Sequence, residues 1–102
     1  MTQSMLRPLA IVGLVSMLPS GALAYTGQEL AGTAKVTIDE ARSIALKARP
    51  GDITSEELEK EKGGSGLRYS FEVKSGKASY EVGVDAQTGK VLENSKEGKN
   101  RD

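Results

Sequence analysis

Apolar and polar side chains alternate strictly at the start of the stretch YEVGVDAQTGKVL, residues 80–92. The apolar positions are Tyr80, Val82 and Val84. This period of two is typical of a strand with one buried face. Asp85 and Gly89 then supply turn chemistry, because an Asp carboxylate accepts bonds from nearby backbone N–H groups and Gly tolerates positive φ. The stretch predicts a β-hairpin with Gly89 at a bulge after a type I turn.

A second alternation precedes the first one and runs through residues 67–74. Its apolar positions are Leu67, Tyr69, Phe71 and Val73. The triplet Ser75-Gly76-Lys77 separates the two alternations and is short enough for a tight turn. The two runs are therefore predicted to be neighbouring antiparallel strands.

A helix is predicted ahead of the strands. Thr37 and Glu40 have the spacing of a capping box, in which each side chain bonds the backbone N–H of the other. Apolar residues recur at helical spacing after Thr37, at Ile38, Ala41, Ile44, Ala45 and Ala48. Pro50 and Gly51 end the pattern.

Residues 52–62 (DITSEELEKEK) fit two structures. Ile53 and Leu58 differ in parity, so a regular strand cannot bury both side chains. The run is either a strand with a bulge or a short helix capped by Thr54 or Ser55; the strand is favoured because Gly63–Gly66 then forms a hairpin loop. The predicted fold class is α+β, with one N-terminal helix packed on a four-stranded antiparallel sheet in two layers.

The N-terminal residues resemble a secretory signal. Arg7 precedes an apolar core at residues 9–18, and Ala22-Leu23-Ala24 has the small-x-small pattern of a cleavage site. A retained membrane anchor is disfavoured, because a helix of that length rises only ~15 Å against a hydrocarbon core of ~30 Å. The predicted organisation is a signal peptide at 1–24, a flexible leader at 25–34, a domain at 35–95 and a disordered charged tail at 96–102. The location predicted from this organisation is periplasmic or secreted, with no membrane-embedded segment after cleavage following Ala24.

Composition limits the chemistry that the chain can perform. The 14 basic residues balance the 14 acidic ones, and they are scattered, so no surface for nucleic acid is predicted. The chain has no His and no Cys, which removes the commonest activators of nucleophiles and the usual zinc ligands. We therefore expect no enzyme activity, no catalytic residue, no metal ligand and no cofactor.

One acidic set leaves two interpretations open. It consists of Asp52, Glu56, Glu57, Glu59 and Glu61. Ca²⁺ takes several carboxylate oxygens, but the spacing fits no EF-hand loop, and Lys60 and Lys62 interrupt the set. The residues are either the solvated face of an edge strand, which is favoured, or a weak cation site.

Two surfaces are candidates for a partner. Tyr69, Phe71 and Tyr80 lie on neighbouring predicted strands, where a Tyr belongs either to the core beneath the helix or to a binding groove at an uncovered end of the sheet. The last strand is a predicted edge, and its residues Val91 and Leu92 are a candidate site for strand addition by an extended peptide.

Four segments together resemble the PepSY domain family over about residues 35–94. They are residues 37–45 (TIDEARSIA), Glu57-Leu58-Glu59, residues 69–73 (YSFEV) and the hairpin VDAQTGKVL at 84–92. The family occurs in propeptides of thermolysin-type metallopeptidases, in a spore-germination protein and in small stand-alone exported proteins. The resemblance implies an extracytoplasmic, non-catalytic domain that binds or restrains peptidases. It carries over no functional residues.

Three functions follow as hypotheses. The first is an exported binding module that modulates or inhibits a peptidase in trans, since no protease domain follows the domain in this sequence. The second is an accessory sensor or ligand-binding domain for an envelope receptor or kinase. The third is a cation-binding envelope protein.

Overall fold

The structure, a computed structural model, describes residues 24–98. It contains a short 3-10 helix at Gln28–Thr33, α1 (Ile38–Ala48) and four strands, β1 (Asp52–Lys60), β2 (Leu67–Ser75), β3 (Ala78–Asp85) and β4 (Val91–Lys96). The strands form one antiparallel sheet in the order β1-β2-β3-β4. α1 packs on one face of this sheet. The predicted two-layer α+β fold is confirmed.

The sequence signals at both ends of α1 are realised. The Thr37 hydroxyl accepts from the Glu40 N–H at 3.1 Å, and the Thr37 N–H donates to the Glu40 carboxylate at 2.9 Å. The Arg49 N–H closes the last turn on the Ala45 carbonyl at 2.8 Å, and Pro50 follows. The stripe of small residues is buried at Ala41 and Ala45, so the helix backbone lies close to the sheet.

β1 is the bulged strand that the parity conflict favours. Ile53 pairs with Val73 and Ser55 pairs with Glu72, so Thr54 is an extra residue in the ladder. The bulge returns the later residues of β1 to the parity that buries Leu58, whose side chain is 1% exposed.

The core lies between α1 and the inward residues of the central strands. β2 and β3 contribute Leu67, Tyr69, Phe71, Val73, Val82 and Val84, all of them buried. The rings of Tyr69 and Phe71 stack with centroids 6.3 Å apart. Strict alternation in the sequence thus corresponds to burial on one face.

The hairpin between β3 and β4 has the predicted glycine bulge. The Gly89 N–H donates to the Asp85 carbonyl and the Asp85 N–H donates to the Lys90 carbonyl, each at 2.8 Å. Two residues of the returning chain therefore face one residue of β3. Gly89 has φ 81°, a left-handed conformation that L side chains rarely adopt.

The buried Asp85 carboxylate joins this turn to the loop between β1 and β2. It accepts from the N–H groups of Gln87 at 2.8 Å and Thr88 at 3.0 Å, and from the Ser65 N–H of the other loop at 2.7 Å. Burial alone would raise the pKa of Asp85, but the hydrogen bonds from Ser65, Gln87 and Thr88 lower it to about 2.

The structure differs from the sequence expectation ahead of α1. Residues 25–34 are predicted to be a flexible leader outside the domain, but they contain the 3-10 helix and return to the sheet. The Leu58 N–H donates to the Thr26 carbonyl at 2.8 Å, and Thr26 forms a parallel bridge with Glu57. We call residues 25–33 the N-terminal strap. They have no apolar period because short turns and a single bridge, rather than a helix face, hold them.

Two further boundaries concern the chain ends. Residues 1–23 of the predicted signal peptide and residues 99–102 of the predicted tail lie outside the described part of the chain. Lys96, placed at the start of the tail by the sequence analysis, is the last residue of β4.

Replacing Asp85 by Asn is expected to lower the free energy of unfolding at pH 7 by about 1–3 kcal/mol, because the hydrogen bonds from three backbone N–H groups lose their charged acceptor. The pKa of Asp85 in the folded state is about 2, below its ordinary value of 3.8. The ionised carboxylate therefore stabilises the fold above that ordinary value, and this contribution is lost as the pH falls towards 2. Urea denaturation from pH 7 to pH 2 measures the effect, with Asp52→Asn as an exposed control. A difference between wild type and Asp85→Asn that stays constant down to pH 2 would contradict the assignment.

Replacing Gly89 by Val is expected to cost more than about 1 kcal/mol of unfolding free energy, because a β-branched residue is strained at positive φ. A Cβ at this position would also lie 3.3 Å from the Ile44 side chain. Gly32→Val is the control, since no heavy atom lies within 4 Å of a Cβ there. Equal stability of the two variants in thermal denaturation would show that the turn is wrongly assigned.

Candidate functional site

β4 is an open edge of the sheet. It pairs with β3 on one side, and no strand among residues 24–98 lies on its other side. Val91 is 37% exposed and is the one large hydrophobic residue of the described chain that is exposed to this degree. Leu92 is half-buried and is an extra residue in the ladder, since Gly83 pairs with Glu93 and Val84 with Val91. The two edge residues that the sequence analysis singled out therefore sit at a bulge.

The backbone of β4 beyond the bulge presents unpaired groups outward. The Glu97 N–H donates inward to the Ser79 carbonyl at 2.8 Å. Bonding alternates along an antiparallel strand, so the N–H groups of Asn94 and Lys96 point away from β3. These two residues offer the regular part of the edge to an incoming strand.

Tyr80 lies beside this edge, under an arginine. The Arg49 guanidinium carbon sits 3.8 Å from the centroid of the Tyr80 ring. The same guanidinium donates from Nε to the Asn94 side chain at 3.2 Å, and Asn94 in turn donates to the Ala48 carbonyl at 3.2 Å. The half-buried ring is thus covered by the end of α1, and it does not line an open groove.

Tyr69 belongs to the core. It is 1% exposed, and its hydroxyl donates to the Val36 carbonyl at 2.7 Å. Burial, with the charges of Tyr25 and Glu40 adding to it, raises the pKa of Tyr69 to about 12. Of the two interpretations open for this residue, the structure supports the core. It does not place Tyr69 and Tyr80 together with Val91 and Leu92 in one site.

The acidic residues of β1 are divided between the two faces of the sheet, and Glu61 lies beyond the end of this strand. Glu56 points toward α1, where its carboxylate binds the Arg42 guanidinium with two hydrogen bonds of 2.8 and 2.7 Å. Glu59 lies on the opposite face and accepts from the Ser70 hydroxyl at 2.7 Å. Within residues 24–98 no three His, Cys, Asp or Glu residues are grouped so as to hold a metal ion.

The edge of β1 differs from the edge of β4, because the N-terminal strap covers part of it. Gly27 approaches the Leu58 backbone so closely that a Cβ would overlap the Leu58 carbonyl oxygen. Tyr25 is half-buried, and burial raises its pKa above the ordinary value. The charge of Arg42 opposes this shift, and the charge of Glu56 adds to it.

Neither the contact of Gly27 with the Leu58 backbone nor the pair of Arg42 with Glu56 is predicted from the sequence. The pair of Arg42 with Glu56 could have been predicted from the alternation of inward and outward residues along β1. A bulge that buries Leu58 also turns Glu56 inward, and an inward carboxylate needs a cationic partner on the covering helix.

Comparison with known proteins identifies one family that this chain matches. The family model PepSY, described as peptidase propeptide and YPEB domain, matches residues 35–94, more than half of the chain. No curated protein and no solved structure matches the chain. In the described part of the chain, no helix has the length and apolar character needed to cross a membrane.

The contact of Arg49 with Tyr80 is expected to contribute about 0.5–1 kcal/mol, as a partly exposed cation–π pair does. A double-mutant cycle of Arg49→Ala and Tyr80→Leu, followed by urea denaturation, measures this coupling. Lys47→Ala, an exposed substitution on the same helix, is the control and should couple to Tyr80→Leu by less than about 0.3 kcal/mol. Additive effects of the first pair would show that the guanidinium does not hold the ring.

Proposed function

Because this chain belongs to the PepSY family, we propose that it is an exported, non-catalytic binding module that modulates a peptidase in trans. The partner docks an extended segment along β4. The backbone N–H groups of Asn94 and Lys96 give affinity, and the exposed Val91 adds an apolar contact.

The family match supports the class of partner. The matched domain is described as a peptidase propeptide domain. A propeptide domain acts by binding, and the chain has neither His nor Cys to supply the usual nucleophile or its activator. In the proposed mode the peptidase is a separate chain, so that modulation occurs in trans.

Export is supported by the N-terminal residues. Arg7, the apolar core at 9–18 and the small-x-small pattern ending at Ala24 have the order of a secretory signal. A domain without Cys needs no disulfide to form after export. The proposed location is periplasmic or extracellular.

The observation that carries the proposal is the difference between the two sheet edges. The N-terminal strap covers β1 at Thr26, whereas β4 has a neighbour on one side only in the described chain. An open edge is a template for main-chain pairing, and pairing of this kind tolerates many side chains. A short edge with a bulge and flanking lysines favours reversible binding over aggregation.

Inhibition of thermolysin tests the proposal. The chain of residues 25–102 is added to thermolysin hydrolysing a fluorogenic peptide, and competitive inhibition is expected. Lys96→Pro removes an outward N–H while the inward ladder is kept, so it should weaken inhibition at least tenfold. Lys96→Ala is the matched control, because it removes the same charge but keeps the N–H, and it should inhibit like wild type.

Mass spectrometry of the reaction separates inhibition from simple competition by a cleaved substrate. An intact chain with Lys96→Pro weaker than Lys96→Ala supports docking along β4. Equal inhibition by the two variants would place the binding surface elsewhere. No inhibition by the intact chain would contradict peptidase modulation and favour the accessory-sensor hypothesis.

A further inference from the structure

The N-terminal strap lies outside the segment that matches the family. The family match begins at residue 35 and includes α1, β1, β2, β3 and most of β4. The strap, residues 25–33, lies wholly ahead of the match. The matched domain therefore has a β1 edge of its own, and in this chain the preceding residues fold back onto that edge.

The strap contacts β1 as a bound peptide would. Thr26 forms the parallel bridge with Glu57, and the Thr26 carbonyl accepts from the Leu58 N–H at 2.8 Å. Gly27 follows at φ 86°, against the Leu58 backbone. After one residue of strand pairing the strap turns away into its 3-10 helix, in which the Leu30 N–H donates to the Gly27 carbonyl at 2.8 Å.

Side chains on both sides of this bridge contact the core. Tyr25 packs against the core beside the pair of Arg42 and Glu56, and Leu30 packs against the core three residues after Gly27. No residue of the 3-10 helix is fully buried. Partial burial and a single bridge make the strap a weaker element than the four strands, and weak peripheral elements open locally.

We propose that the β1 edge is a second peptide-binding site, which the chain fills with its own N-terminal strap. The site takes a segment of a partner protein that carries an aromatic residue, then any residue, then Gly, then an apolar residue three positions later. These positions correspond to Tyr25, Gly27 and Leu30 in the strap. The strap is a competitor in cis, so a partner segment binds when the strap opens.

Because the strap and the β1 edge belong to one chain, the strap competes strongly with a free peptide for this edge. A short tether gives the strap a local concentration in the millimolar range. The affinity of a free peptide for wild type is reduced by the fraction of molecules in which the strap is open. Weakening the strap should therefore reveal peptide binding that the wild-type chain conceals.

Native-state hydrogen exchange on wild type is the first test. The Leu58 amide, which is bonded to Thr26, is expected to exchange at least tenfold faster than the amides of Phe71 and Val82 in the central strands. Exchange of Leu58 as slow as that of the central strands would show that the strap opens only with the whole domain. That result would overturn the proposal.

Peptide binding is the second test. A fluorescent peptide of residues 25–34 is titrated into the chain carrying Gly27→Val, whose new side chain overlaps the Leu58 carbonyl and displaces the strap. Anisotropy should saturate at a peptide concentration at least tenfold lower than with wild type. The same peptide with Val in place of Gly27 is the control and should not bind. A folded Gly27→Val chain that does not bind the wild-type peptide would overturn the proposal.

Sedimentation of the Gly27→Val chain identifies the occupant. If the variant is a monomer, its β1 edge is open to a segment of another protein, as proposed. A dimer held by exchanged straps would make a second copy the occupant and would overturn the choice of partner. If Gly27→Val does not fold, the exchange rate of Leu58 in wild type decides alone. The site lies at the opposite edge from β4, so its failure leaves the inhibition experiment unaffected.

Discussion

The buried carboxylate of Asp85 is the interaction on which the rest of the fold depends. It satisfies backbone N–H groups in two separate loops, at Ser65 and at Gln87 and Thr88, and so it fixes the end of β3 against the entry to β2. The next residue, Ala86, is buried, and its carbonyl accepts from the N–H groups of Lys35 and Val36 just ahead of α1. One turn thus sets the positions of two hairpins and of the helix. Each hydrogen bond to a charged group contributes about 1.5–3 kcal/mol, a large share of the stability of a small domain.

This arrangement leaves the edges of the sheet as the surfaces on which the proposed binding depends. α1 covers one face, and the other face carries polar side chains such as Glu59 and Ser70, which bond each other. The edges differ because the strap folds back on β1 while β4 stays open on one side within the described chain. In a domain of the PepSY family, we propose peptide binding at both edges, at once on the open edge and only after opening of the strap on the occupied one.

Local sequence patterns predict most of the fold, because most of its helix ends, strands and turns depend on interactions between residues that are close in sequence. The capping box at Thr37, the alternation along β2 and β3 and the positive φ at Gly89 each follow from nearby residues and are confirmed. The bulge in β1 follows from the parity of Ile53 and Leu58. The strap does not, since its bridge joins Thr26 to Glu57 and a single long-range pair leaves no period in the sequence. The cover over Tyr80 could not be predicted from local patterns either, because Arg49, which lies over the ring, follows the last residue of α1 and is distant in sequence.

Binding along an edge, rather than in a cavity or on a face, is the central claim, and an NMR titration tests it most directly. The ¹⁵N-labelled chain of residues 25–102 is titrated with thermolysin whose catalytic zinc has been removed, so that the chain is not cut. Binding along β4 predicts shifts and broadening concentrated at the amides of Asn94 and Lys96. Changes concentrated at Glu57, Ser70 and Glu72 on the polar face, with β4 unaffected, would contradict the claim.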